Sequence, residues 1–195
     1  MKKTNTLFLA EVAIFGAMAY LLDLLAGALS LKIWASGGSI SISMVPVFIM
    51  AFRWGLKGGL LTGFILGFFQ ILMGQIIGAD IRQILLDYIV AFTGLGLAGI
   101  FAKQVTNAVL SDKLNKIILF VTVASFIGCF VRFLAHYAAG IIFFGHFAPE
   151  GQPVWLYSLL YNGSYMLPSF IIATIVTILL IRTVPRIFTF NKPLT

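Results

Sequence analysis

Long apolar stretches separated by short polar ones run along the whole chain. Six can be marked, and several reach the roughly 20 residues that an α-helix needs to cross a bilayer. The second segment is too short to span a bilayer by itself. Either the preceding Ser-Gly-Gly-Ser stretch completes it, or it is packed within the helix bundle and not against lipid. The pattern predicts an all-α membrane protein, a bundle of six transmembrane helices forming a single domain over residues 1–195. The six segments are residues 6–29, 41–52, 56–73, 81–101, 116–143 and 154–181.

The lysines and arginines between these segments are distributed unevenly. If the N-terminus lies inside and the chain crosses six times, only Lys32 and Arg82 fall on the outer side. Cytoplasmic loops carry the excess of positive charge, and an odd number of crossings would divide the cations more evenly. The distribution therefore predicts a multi-pass protein of the bacterial plasma membrane with both termini in the cytoplasm. The inner cations are Lys2, Lys3, Arg53, Lys57, Lys103, Lys113, Lys116, Arg182, Arg186 and Lys192.

The composition indicates that lipid surrounds most of the surface. Hydrophobic residues make up 61% of the chain and charged residues 10%, with a mean hydropathy of +1.06, whereas a soluble domain carries about 25% charged residues. The net charge of +7 does not indicate nucleic-acid binding, because the cations are scattered between apolar runs. The single cysteine, Cys129, is expected to be a small apolar side chain. Because Glu11 and Asp23 interrupt the first apolar segment, we interpret it as an uncleaved helix rather than a signal peptide.

Five ionisable residues lie inside the apolar segments, where a charge at a helix centre costs about 2.5–3.5 kcal/mol on insertion scales. Glu11 and Asp23 lie near the boundaries of the first segment, and partial hydration accounts for them. Asp87 lies deeper and must face protein or water. Arg132 and His136 are four residues apart and share one helix face. Two interpretations stay open: a structural ion pair between Asp87 and Arg132, or a ligand pocket in which the arginine orients the carboxylate.

The start of the last apolar segment carries tyrosines and an amide at helical spacing. Tyr157, Tyr161 and Tyr165 form one stripe, and a boundary belt of aromatic residues accounts for Tyr161. Asn162 is different, because an amide inside a bundle needs three or four hydrogen bonds. The outer half of the bundle thus combines a carboxylate, an imidazole, an amide and several rings. This set suits a flat, polar, cationic aromatic ligand.

Sequence motifs for catalysis are missing from the chain. No hydrolase, nucleotide-binding or zinc-enzyme motif occurs, and His136 and His146 have no metal-ligand spacing. We therefore expect no enzymatic activity, no cofactor and no metal. Without a nucleotide-binding loop or a series of membrane carboxylates, energy for transport has to come from a partner protein. In the first segment, Ala13, Gly16 and Ala17 allow close approach of another helix, within the chain or on that partner.

Taken over nearly its whole length, the sequence resembles the thiamin-specific substrate-binding (S) component of energy-coupling factor (ECF) vitamin transporters. The resemblance runs from Ala10-Glu11-Val12-Ala13 to Pro185, and Trp34 in the first outer loop also matches. Its most specific stretches are Leu86-Asp87-Tyr88, Arg132-Phe-Leu-Ala-His136-Tyr-Ala-Ala-Gly140-Ile-Ile-Phe143 and Tyr157-Ser158-Leu-Leu-Tyr-Asn162-Gly163.

The resemblance implies a six-helix S component that binds thiamin near the outer surface, under a cap formed by the loop after the first helix. It also implies partners: an ECF transmembrane coupling subunit, which docks on Ala13 and Ala17, and two ATPase subunits. The family's pocket acid corresponds to Asp87. The ligand-binding residues carried over from the family motifs are Trp34, Asp87, Tyr88, Arg132, His136, Gly140, Phe144, Tyr157 and Asn162.

Three positions depart from the family pattern. The pocket acid is a glutamate in at least one family member and is Asp87 here, and two family tryptophans correspond to Leu66 and Phe144. Phe144 can still stack on a ring, whereas Leu66 cannot. Three other functions stay open at this point: an S component for another vitamin such as riboflavin, a small membrane enzyme acting on a lipid, and a stand-alone channel or carrier.

Overall fold

Five long helices make up almost the whole structure, a computed structural model that describes residues 3–29, 32–34, 37–73 and 80–189. Each is long and apolar enough to cross a membrane, which confirms the predicted all-α membrane class. The side chains of residues 3, 4 and 32–34 lie outside the described part. The helices are α1 (Lys3–Ala28), α2 (Met44–Leu72), α3 (Ile81–Leu110), α4 (Leu114–Phe143) and α5 (Val154–Thr183).

The second and third apolar segments form one element, α2, which is broken at Gly55. This residue has φ 70° and ψ −161°, a conformation that is essentially restricted to glycine. Both ends of α2 reach the same carboxylate: Ser43 Oγ donates to Asp23 Oδ1 at 3.0 Å and Gln70 Nε2 donates to Asp23 Oδ2 at 3.1 Å. An unbroken helix would separate Ser43 from Gln70 by about 40 Å. The chain therefore reverses direction at Gly55.

Glycines let the second half of α2 lie directly against the backbone of α3. A Cβ on Gly63 would overlap the carbonyl oxygen of Phe92, and a Cβ on Gly67 would overlap that of Tyr88. One turn earlier, a Cβ on Gly59 would lie 2.7 Å from the carbonyl oxygen of Gly96. Membrane helices associate through such close packing because lipid provides little hydrophobic drive between them. The Gly-xxx-Gly-xxx-Gly repeat thus fixes the distance between α2 and the part of α3 that carries Asp87.

Helix α3 is irregular along its length. Its π-helical turn contains Asp87 and Tyr88, both of which are buried. Single π turns inside α-helices are frequent at functional sites. Along the chain, α3 consists of an α turn (Ile81–Ile84), the π turn (Leu85–Val90), an α turn (Ala91–Gly94), a 3-10 stretch (Leu95–Phe101) and an α-helix (Ala102–Leu110).

A short antiparallel hairpin follows α1 where the sequence indicated only a loop. Strand β1 (Lys32–Trp34) pairs with β2 (Gly37–Ser39). Strands of three residues are too short to show alternation, which explains why the pattern did not reveal them. Gly38 has φ 71°, and a Cβ there would lie 2.6 Å from Cδ1 of Tyr165. The hairpin backbone therefore packs against this ring of α5.

Glu11 is held by hydrogen-bond donors rather than by the water expected at the boundary. Its carboxylate accepts from Arg53 Nε at 2.6 Å, Arg53 Nη2 at 2.7 Å and Trp54 Nε1 at 2.6 Å. Arg53 Nη1 also donates to the carbonyl oxygen of Ile187 at 2.8 Å. These bonds join α1, the break in α2 and the 3-10 turn after α5 (Pro185–Ile187).

The break in α2 can be tested with Gly55→Ala. Nothing lies within 4 Å of a Cβ at this position, so the only cost is the positive φ, which we expect to lower the free energy of unfolding by about 1–3 kcal/mol. Gly163→Ala is the matched control, because a Cβ there also meets nothing within 4 Å but the residue lies within α5. Equal stability of the two variants in detergent, measured by thermal unfolding, would contradict the assigned backbone conformation.

Candidate functional site

The carboxylate of Asp87 lies between two donors from different helices. Gln83, one turn earlier on α3, donates from Nε2 to Asp87 Oδ2 at 2.6 Å. His136 on α4 places Nδ1 2.9 Å from Asp87 Oδ1. Asp87 is only 9% exposed, and a buried charge is tolerated only when such partners compensate for lost hydration. Both oxygens are therefore oriented by the protein.

Arg132 contacts this group through His136 and not directly. Its Nε donates to His136 Nε2 at 3.3 Å, and its Cζ lies 4.3 Å from the centre of the Phe92 ring, within the range of a cation–π contact. The ion pairs between described residues do not include Asp87 with Arg132. The direct ion pair, one of the two interpretations that the sequence left open, is therefore not formed, and the imidazole lies between the two side chains.

The contacts of His136 define which ring nitrogen carries the proton. Arginine has only donors, so His136 Nε2 must accept from Arg132. The proton is then on Nδ1, which donates to Asp87. The ring also meets Phe92 edge to face, with centroids 6.0 Å apart.

Asn162 joins α5 to α4 beside His136. Its Nδ2 donates to the carbonyl oxygen of Ser158 at 2.9 Å, to Ser158 Oγ at 3.2 Å and to the carbonyl oxygen of His136 at 3.4 Å. Its Oδ1 accepts from the hydroxyl of Tyr165 at 2.8 Å. The hydrogen bonds required of a buried amide are therefore made within the protein, and Oδ1 keeps one lone pair.

Gly140 lies at a close contact between α4 and α5. A Cβ there would overlap Oγ of Ser158 and would lie 3.4 Å from Nδ2 of Asn162. Ser158 Oγ in turn donates to the carbonyl oxygen of Tyr137 at 2.8 Å. The structural contribution of Gly140 is thus to bring the Ser158 and Asn162 side chains next to His136.

Three of the four remaining expected site residues have side chains that the structure describes. Tyr157 lies in the first turn of α5, with its ring 5.8 Å from that of Tyr161. Phe144 directly follows α4, with its ring 6.3 Å from that of Phe147. Tyr88 is 8% exposed. The backbone of Trp34 belongs to β1, but its side chain lies outside the described part.

The sequence did not reveal Gln83 and Phe92 as contributors to this group. Gln83 was detectable in principle, because an amide four residues before a buried acid on one helix can hydrogen-bond to it. Phe92 is contributed across a helix interface and leaves no local signal. Tyr165 was noted only in the tyrosine stripe, although its bond to Asn162, three residues earlier on α5, is a local contact. Leu66, at the position of a family tryptophan, is fully buried in the core.

An ion pair at the N-terminal end of α3 anchors the turn that carries Gln83. Asp80 is the N-cap of this helix and accepts from the backbone N–H of Arg82 at 2.8 Å. The guanidinium of Arg82 donates to the same carboxylate from Nε at 3.1 Å and Nη2 at 2.6 Å. The side-chain hydrogen bonds from Arg82, with its backbone hydrogen bond, lower the pKa of Asp80 to about 2. The cap therefore stays ionised from neutral pH down to strongly acidic conditions.

Similarity to known proteins is strong over nearly the whole chain. Residues 9–189 match the family model described as "Thiamine transporter protein". The chain belongs to this thiamine transporter family. It is 48% identical over 185 residues to the thiamine transporter ThiT of Bacillus subtilis strain 168, a match covering 94% of this chain and 95% of that relative.

Two further members of the thiamine transporter family extend the comparison. ThiT of Lacticaseibacillus paracasei is 30% identical over 152 residues, which cover 76% of each chain. The solved structure of ThiT from Listeria monocytogenes superposes with a TM-score of 0.88 at 31% identity, covering 95% of this chain and 99% of that one.

Membership of the thiamine transporter family excludes one of the functions that the sequence left open, the membrane enzyme. Its members are named as transporters and the family is not enzymatic, so the lipid-processing enzyme is excluded. The protein is a multi-pass protein of the bacterial plasma membrane, as its apolar helices predict. No group of three or more His, Cys, Asp or Glu residues suited to a metal occurs among the described residues.

The assigned tautomer of His136 can be checked by nitrogen NMR with labelled histidine. We expect a single tautomer, with the proton on Nδ1, because Arg132 donates to Nε2 and Asp87 accepts from Nδ1. His146, the second histidine, is exposed and provides the internal reference. A proton on Nε2 of His136 would contradict the site geometry.

Proposed function

We propose that the protein captures thiamin with high affinity from outside the cell, as the substrate-binding S component of an ECF-type transporter. Uptake is then powered by ATPase subunits that act through a transmembrane coupling subunit. The proposal rests on the surroundings of Asp87. Its buried carboxylate is oriented by Gln83 and His136 and forms no direct ion pair with Arg132. Two relatives that match most of the chain are named thiamine transporters, which supports thiamin as the ligand.

The chemistry of thiamin matches the groups around this carboxylate. Thiamin has a positively charged thiazolium ring and an aminopyrimidine ring, and both are flat. Asp87 supplies the opposite charge, and two of its four or so acceptor positions are unused. Trp34, His136 and Phe144 are proposed to contact the two rings. Tyr88, Tyr157 and the free lone pair of Asn162 Oδ1 are proposed to bind the polar ends, while Arg132 and Gly140 support His136 and Asn162.

We propose six crossings with both termini in the cytoplasm, and a single domain over residues 1–195. Two contacts of α1 support this topology. Asp23 meets both ends of α2, while Glu11, three turns earlier, meets Arg53 beside the break. The break, with Arg53 and Lys57 beside it, therefore lies toward the end of α1 that begins the chain, as expected if cations gather on the inner side.

The docking surface for the coupling subunit is proposed to be the lipid-facing side of α1. Ala13 is exposed and Ala17 is half-buried, so small residues form a shallow region against which a partner helix can pack closely. Large apolar side chains flank it, with Ile14 57%, Met18 43% and Leu21 60% exposed. Loaded protein would then engage the coupling subunit through this face.

The binding part of the proposal is tested by Asp87→Asn. Removing the charge while keeping size and shape should leave insertion intact and weaken thiamin binding by about 10- to 100-fold, the value of one charge-assisted hydrogen bond. Calorimetric titration of the purified protein measures this change. Asp112→Asn, an acid on an exposed turn paired with Arg182, is the control and should bind normally. Unchanged affinity of Asp87→Asn would remove the carboxylate from the binding site.

The docking part is tested by combining Ala13→Trp with Ala17→Trp. Thiamin affinity should remain within about twofold, because the site lies on α3, α4 and α5, while uptake in cells that contain the coupling module should be lost through steric exclusion. Leu119→Trp, a substitution on the exposed face of α4, is the control for added bulk. Uptake at the wild-type rate by the α1 variant would rule out this face as the docking surface.

A further inference from the structure

Gln83 is the most deeply buried polar residue beside Asp87. Its exposed fraction is 1%, and its Nε2 donates to Asp87 Oδ2 at 2.6 Å. A hydrogen bond this short to an ionised acceptor belongs to the stronger class of protein hydrogen bonds. The bond also crosses from the α turn Ile81–Ile84 into the π turn Leu85–Val90. The geometry of the π turn and the orientation of the carboxylate are thus linked through one amide.

The orientation of this amide is determined by chemistry. An ionised carboxylate can only accept hydrogen bonds, so the nitrogen of Gln83 must face Asp87 and its oxygen must face elsewhere. That oxygen, Oε1, is buried and accepts no hydrogen bond from any residue that the structure describes. Leaving a buried acceptor unpaired is unfavourable, and such atoms are rare in folded proteins. The described residues supply no donor for Oε1, which leaves this acceptor available to a bound ligand.

Asp87 and Gln83 together present two acceptors from adjacent turns of α3. Nδ1 of His136 already occupies Oδ1 of the carboxylate, and Arg132 adds its guanidinium to the far side of that imidazole. A ligand group that donates to both acceptors needs two hydrogens, and an amino group carries two on one nitrogen. A carbonyl group would instead place its lone pairs against them, which is repulsive.

We propose that Gln83 is a specificity-determining residue of the thiamin site, positioning Asp87 through Nε2 and accepting from an aromatic amino group through Oε1. The inference rests on the proposed function, and it narrows that function to the recognition of one part of the ligand. The aminopyrimidine of thiamin carries an amino group of this kind. The hydroxyl group of thiamin has a single hydrogen, so it can donate to only one of the two acceptors.

The first test uses the unaltered protein with thiamin and with oxythiamin, in which a carbonyl oxygen replaces the amino group. We expect oxythiamin to bind at least about tenfold more weakly in calorimetric titration, the loss corresponding to a single hydrogen bond to a charged or buried group. Equal affinities would overturn the proposal even though thiamin binds. Failure of thiamin itself to bind would instead overturn the proposed function.

The second test compares Gln83→Met with Gln70→Met. Gln70 is also buried and donates from Nε2 to an intramembrane carboxylate, Asp23 Oδ2, at 3.1 Å, but this pair joins α2 to α1. We expect Gln83→Met to weaken thiamin binding by about 10- to 100-fold and Gln70→Met to change it by less than about twofold. Thermal unfolding of both variants shows whether each one folds.

The measurement that separates specificity from a purely structural role is the affinity for thiamin divided by the affinity for oxythiamin. Gln83→Met should lower this ratio, because one of the two acceptors that repel the carbonyl is gone. A structural defect would weaken thiamin and oxythiamin equally and leave the ratio at its wild-type value. That result, or equal effects of Gln83→Met and Gln70→Met, would overturn the proposal.

Discussion

A carboxylate kept between apolar helices has to be compensated by donors, because hydration is lost and the charge cannot be left unpaired. In this protein the requirement falls on Asp87. One donor comes from its own helix through Gln83, and the second comes from His136 on α4. His136 is oriented in turn by Arg132, which lies over Phe92. The relative placement of α3 and α4 therefore depends on how this one charge is held.

Small residues make that placement possible. Gly63 and Gly67 let α2 approach the carbonyl oxygen of Phe92, just after the π turn, and that of Tyr88, within it, and Gly140 lets α5 approach α4. Without them, a single Cβ at each position would force the helices apart. Because lipid gives little drive for helix association, this close packing sets the interhelical distances. Hydrogen-bond distances of 2.6–2.9 Å around Asp87 require those distances to be maintained.

The site is also joined to α1 by a continuous set of hydrogen bonds. It passes from Asn162 along α5, crosses to the segment that follows the hairpin, and ends at the carboxylate of Asp23 on α1. The proposed ligand site and the proposed docking helix thus share one polar framework within an apolar bundle. The bonds join Tyr165 to Asn162 (2.8 Å), Ser169 to Tyr165 (2.6 Å), Ser41 to Ser169 (3.1 Å), Ser43 to Ser41 (3.1 Å) and Ser43 to Asp23 (3.0 Å).

Hydropathy by itself determined the membrane class and the positions of the long helices, because transfer into lipid acts on each segment separately. Helical spacing likewise placed Arg132 beside His136, since that contact is local. The tertiary structure alone decided that an imidazole separates Asp87 from Arg132 and that Asn162 binds the backbone of α4. These features depend on which helices meet and how closely. Such contacts join residues far apart along the chain, so no local pattern records them.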